Sequence, residues 1–133
     1  MSAANALLRA IHERLAADAF LARALGPQGL IDRLMPRVVL PCVMPGEVES
    51  RDYSTATEKG EEHMLTLEVW CDEGGRQKSQ EIASRIMVLL DDAPLVLGGG
   101  VTLVSLFYRS LRSRRATKTQ QFVTEMRFRA VTE

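Results

Sequence analysis

Glu62-His63-Met64-Leu65-Thr66-Leu67-Glu68-Val69-Trp70-Cys71 is the stretch on which the fold turns. His63, Leu65, Leu67, Val69 and Cys71 alternate with Met64, Thr66, Glu68 and Trp70, and side chains along a strand point to opposite faces in turn. One face is therefore apolar and needs a cover. A turn at Asp72-Glu73-Gly74-Gly75 leads to it, because residues 76–90 place Ile82, Ala83, Ile86, Met87 and Leu90 on a single helical stripe. Asp91-Asp92-Ala93-Pro94 ends that helix.

Downstream, 95–97, 101–108 and 122–131 read as strands. In the last, Phe122, Thr124, Met126, Phe128 and Ala130 alternate with Val123, Glu125, Arg127, Arg129 and Val131. The final two are expected to form a long antiparallel hairpin with a basic loop over about 109–121. Upstream, Leu7, Leu8, Ile11 and Leu15 recur at helical spacing from about Ala4. Asp18 is placed to cap a second short turn through Phe20, Leu21 and Leu25 that stops at Gly26-Pro27. A short strand over 30–33 and another over 38–44 follow; Pro36, Pro41 and Pro45 remove ladder donors there and imply an edge position or bulges. This order predicts an α+β domain spanning 1–133: a single antiparallel-rich sheet of four or five strands with two helices packed on one face. Thr66, Glu68, Glu125, Arg127 and Arg129 are left on the other face, as a polar surface.

A length of 133 residues suits one domain with one core. Apolar residues make up 46% and charged residues 26% of the chain, and no apolar run approaches the ~20 residues that span a bilayer. Arg9, Glu13 and Arg14 interrupt the N-terminal apolar pattern, which is not that of a signal peptide, so a cytoplasmic location before assembly is expected. Cys42 and Cys71 have no neighbouring Cys or His to complete a metal set and are expected to be buried thiols. Seventeen bases balance seventeen acids, which excludes attachment to nucleic acid by overall charge alone. Their distribution is uneven: residues 47–73 hold nine acids against two bases, and 109–129 hold seven bases against Glu125 alone.

No motif of catalysis emerges. His12 and His63 lack a second ligand at i+3 or i+4 and are expected to be half-exposed helix and strand residues. Gly98-Gly99-Gly100 lacks the following Lys and Ser/Thr of a phosphate loop and reads as a tight turn. Of the adjacent acids, Glu61-Glu62 should point to opposite strand faces, while Asp72-Glu73 and Asp91-Asp92 sit in turns. No catalytic, cofactor-binding or metal-binding residue is assigned, and no enzymatic activity is expected. Arg109, Arg112, Arg114, Arg115 and Lys118 stand out, since five cations without an intervening acid repel one another and should keep a loop extended. A solvated hairpin tip, a contact with an acidic protein and a contact with DNA phosphates all fit. Aromatic residues for base stacking are missing from that loop, which argues against sequence-specific binding.

Pro41-Cys42-Val43-Met44, 49–55 (Glu-Ser-Arg-Asp-Tyr-Ser-Thr), 60–70 (Gly-Glu-Glu-His-Met-Leu-Thr-Leu-Glu-Val-Trp) and Arg127-Phe128-Arg129-Ala130 together resemble the phage tail-completion family, found in long-tailed phages and in gene transfer agents. The resemblance implies a tail terminator: a homo-hexameric ring that stops tail-tube polymerisation and joins the tail tube protein to the head-completion stopper or adaptor protein of the neck. A ring needs two unlike surfaces on each subunit. Arg51, Asp52, Glu58, Glu61 and Glu62 are the expected acidic side, approaching the Arg109, Arg112, Arg114, Arg115 and Lys118 loop or the Arg127 and Arg129 strand of the next copy. Alternatively that loop faces the lumen and meets tape-measure protein or DNA. A neck stopper or adaptor, and a small dimeric regulatory adaptor, are the competing readings.

Overall fold

The computed structural model describes residues 2–31, 38–72 and 74–133. Along the chain come α1 (Ala3–Ala16), α2 (Ala19–Leu25), β1 (Cys42–Asp52), β2 (Glu61–Cys71), α3 (Arg76–Leu90), β3 (Leu103–Arg115) and β4 (Phe122–Thr132). The four strands form one antiparallel sheet in the order β1-β2-β4-β3, so the quoted strand, β2, is central. Its alternating residues His63, Leu65, Leu67, Val69 and Cys71 are all buried. β4 sets Phe128 beside Leu65 and Met126 beside Leu67, which extends the same apolar face across the sheet centre.

The helices lie against that face. α3 buries Ile82, Ala83, Ile86, Leu89 and Leu90, with Met87 packed at the margin. α1, capped by the Ser2 hydroxyl accepting from the Asn5 amide at 3.1 Å, buries Ala6, Leu7, Ala10, Ile11 and Leu15. Asp18 caps α2 as expected: its Oδ2 accepts from the Leu21 amide at 3.0 Å. The same carboxylate takes the Arg85 Nε at 3.1 Å, which fastens α2 to α3. Polar groups inside the core are paired as well. His63 is wholly buried, its Nδ1 2.7 Å from the Ser50 hydroxyl and its Nε2 2.9 Å from that of Thr132. Among the described residues no buried side-chain N or O lacks a partner.

Several expectations need correction. The described residues form three helices where two were expected, because α2 is a complete helix and not a single turn. Residues 95–97 form no strand: Leu95 and Leu97 pack on the core without a ladder partner, and Gly98, Gly99 and Gly100 all adopt positive φ in the turn that follows. The strand placed at 38–44 begins at Cys42 and continues to Asp52, past Pro45, because a bulge between Pro45 and Val48 absorbs the proline. It lies at the sheet edge, as its prolines require. Leu30 makes one parallel bridge to Val43, whereas Arg33 and Pro36 lie outside the described residues.

The largest correction concerns the basic segment. Arg109, Arg112, Arg114 and Arg115 are not in a loop but on β3, which runs to Arg115 beside β4. Pairing with β4 supplies the backbone partners, and Glu125 opposite Arg112 takes an ion pair from Arg114 at 3.1 Å. Only Lys118 remains in the connecting turn of 116–121, which the Ala116 amide closes on the Gln121 carbonyl at 2.7 Å.

Candidate assembly face of the sheet

The pleat that turns His63 and Leu65 toward the helices turns Glu62, Met64, Thr66, Glu68 and Trp70 the other way. β4 adds Glu125, Arg127 and Arg129 to that face, β1 adds Glu49 and Arg51, and β3 adds Phe107, Arg112 and Arg114. Glu62 sits toward one end of that face, only 5% exposed. Arg51 lies directly across from it on β1 and Arg129 diagonally across on β4. Arg129 Nε is 2.6 Å from Glu62 Oε2, and Arg51 Nε pairs with Oε1. The two guanidinium groups, Arg129 first, hold the Glu62 carboxyl below the usual carboxylate range. Tyr53 then lies against Arg129, whose guanidinium carbon is 5.5 Å from the ring centroid.

The residues expected at an interface thus divide. Arg51, Glu62 and Arg129 meet one another inside the chain. Asp52 and Glu61 face each other at the β1–β2 end, where Asp52 accepts from the Ser54 hydroxyl at 2.6 Å. Glu58 lies in the connection between β1 and β2, where its nearness to Glu133 pushes that carboxyl up. Arg127 is exposed in a shallow cleft shared with Glu47, Glu49 and Thr66. Arg109 lines the cleft above Glu49 and Glu62, and Arg112 and Arg115 are exposed along β3. Among the described residues none of Arg109, Arg112, Arg115, Lys118 and Arg127 forms an ion pair. Sequence reasoning missed Tyr53, Phe107 and Leu111. Leu111 and Ser113, alternating with Arg112 and Arg114 beyond the strand's expected end at Tyr108, were the available signal for its continuation, and the cations obscured it.

Other candidate chemistry resolves into packing. His63 was expected half-exposed but is buried; burial depresses its pKa, so it stays neutral between two hydroxyls. Cys42 and Cys71 are buried free thiols, and burial pushes Cys42 up to about 11, which leaves it protonated at neutral pH. A groove of about 270 Å³ between α1 and β1 is aliphatic apart from Asn5, Arg9 and His12. Among the described residues no His, Cys, Asp and Glu side chains are grouped to hold a metal ion, and no helix is long and apolar enough to cross a membrane.

These features define an α+β subunit with helices on one face of a four-stranded antiparallel sheet and a charged face on the other. The chain belongs to the family of tail completion protein gp17, whose model matches residues 9–133, and this gives it a structural role in tail completion. Among solved structures it is similar to a chain of the virion of a native gene transfer agent particle. The two share 30% of their residues and superpose with a TM-score of 0.89, covering 99% of this chain and 98% of that one. A search of the curated proteins finds no match.

Proposed function

We propose that this chain is a tail terminator: identical copies form a ring that caps the tail tube and joins it to the head-completion proteins of the neck. The observation that carries the reading is the near end-to-end correspondence with a chain of a gene transfer agent virion. Uneven charge supports it, since residues 47–61 are predominantly acidic and β3 with its turn is basic, two unlike surfaces of the kind a closed ring joins. In this reading the subunit is structural and not catalytic. Its buried histidine, thiols and carboxylate are occupied by hydroxyls, packing and arginines. Cytoplasmic assembly followed by residence in the neck completes the proposal.

Deleting the gene from its particle tests this. Tail tubes of uncontrolled length, unattached to heads, are the result expected of a lost terminator. Tubes of normal length that fail to attach would instead identify a neck stopper or adaptor. The uncompensated cations of β3 and Lys118 also suit a position facing the lumen. Photocrosslinks from Lys118 to tape-measure protein or DNA would support that placement; crosslinks confined to the tube protein would exclude the DNA contact.

A further inference from the structure

The two edges of the sheet are unlike, and each is open over only part of its length. On β1 the beginning is covered: the Ile31 amide donates to the Val43 carbonyl at 2.9 Å and the Val43 amide to that of Gly29 at 2.7 Å. From the bulge onward, residues 46–52 have no outer partner among the described residues. On β3 the beginning is also covered. The Asp92 amide donates to the Leu106 carbonyl at 2.8 Å, and the Tyr108 amide to the Asp91 carboxylate at 2.9 Å. Past it, among the described residues, 109–115 pair only with β4. The open spans are equal in length, and unpaired strand edges are templates for further pairing.

Subtracting the charges already spent inside the chain sharpens the contrast. Arg51 and Arg129 are taken by Glu62, so the β1 edge retains Glu47, Glu49 and Asp52 with no paired base among the described residues. Arg114 is taken by Glu125, so the β3 edge retains Arg109, Arg112 and Arg115. Phe107, 43% exposed, and Leu111, 39% exposed, add apolar surface beside those arginines.

Strand direction agrees. Because every neighbouring pair in β1-β2-β4-β3 is antiparallel, β1 and β3 run in opposite directions. A rotation about an axis along the strands preserves direction, so it would bring the next copy's β1 antiparallel to β3 and continue the alternation. Aligning the two open spans offsets successive copies along the strands, which a closed ring accommodates by tilting the strands to its axis.

From these observations, and resting on the terminator reading, we infer that the ring is joined edge to edge. Residues 109–115 of one copy pair antiparallel with residues 46–52 of the next, which sets Arg112 opposite Glu49 and Arg109 opposite Asp52, while Arg51, Glu62 and Arg129 stay internal and brace the sheet. The interface is a second copy of this chain added as strands, with charge selecting which edge meets which.

Charge exchange tests it, with mass measured by native mass spectrometry at low salt. R109E/R112E and E49K/D52K should each weaken assembly at least ~tenfold, since like charges then face across the joint. The chain carrying all four changes should assemble again, and an equimolar mixture of the two double variants should form rings of alternating composition. A disulfide trap provides a second readout: E49C and R112C in one chain should give a covalent ladder ending at the ring size, and either cysteine alone should give none. An assembled wild-type ring that is indifferent to the exchanges and yields no ladder overturns the edge pairing and leaves the terminator reading intact. If the wild-type chain forms no ring, even on tube ends, the terminator reading fails and the inference with it.

Discussion

Glu62 shows how a single carboxylate organises the open face. Its folded pKa lies below the ordinary 4.5, so the stability it contributes is fully present above that pH and is lost as pH falls through the folded value. Replacing Glu62 with Gln should therefore lower the melting temperature at pH 7 and flatten the acid limb of a melting-temperature profile between pH 5 and 2. An unchanged limb would mean that the two arginines do not act through this group. His63 has the same sign for a different reason. Burial keeps it neutral, so below its ordinary 6.5 the unfolded chain takes up a proton that the folded one refuses, and stability declines. His63→Ala leaves the Ser50 and Thr132 hydroxyls without their partner and opens a cavity; a loss of about 3 kcal/mol is expected in urea unfolding. The inward direction of His63 was legible from its place in the alternation of 62–71. Its complete burial was not, because Thr132, which satisfies it, is far away in the chain.

The elements differ in how openly the sequence declares them. α3 was legible at both ends, since its apolar stripe, the glycines before it and Asp91-Asp92 after it agree, and the structure buries that stripe. Ile86→Ala should cost about 3 kcal/mol by calorimetry, as Ile86 is fully buried at the helix–sheet junction. Asp18→Ala removes the α2 cap, worth about 1 kcal/mol, and releases Arg85 as well. A variant that melted like wild type would show that α2 is held by packing alone. β3 was half legible. Like-charge repulsion among Arg109, Arg112, Arg114 and Arg115 reads as a loop, but the ladder to β4 and the facing Glu125 outweigh it. The strand is thus made by a tertiary partner, which local pattern does not carry. β1 was hidden in the opposite way, since Pro45-Gly46 looks like a stop and is only a bulge.

For the whole molecule, neutrality conceals a charge separation across the sheet that survives internal pairing. Attraction between exposed edges is screened within roughly 8–10 Å at physiological salt, so ring formation should weaken steadily as salt is raised to 1 M. Sedimentation velocity across that range checks this, and a salt-independent ring would point to an apolar joint centred on Phe107 and Leu111. The residues of the acidic and basic sides were legible as blocks of sequence. Which of them remain free was not, because the sheet register alone brings Glu62 between Arg51 and Arg129. The measurement that bears most directly on the account is the mass of the assembled chain on purified tail tubes, taken with negative-stain images of the tube ends. A closed ring of about six copies at one end of each capped tube is the expected result. Tubes that stay bare, or that bind the chain along their sides as a monomer or dimer, would contradict it.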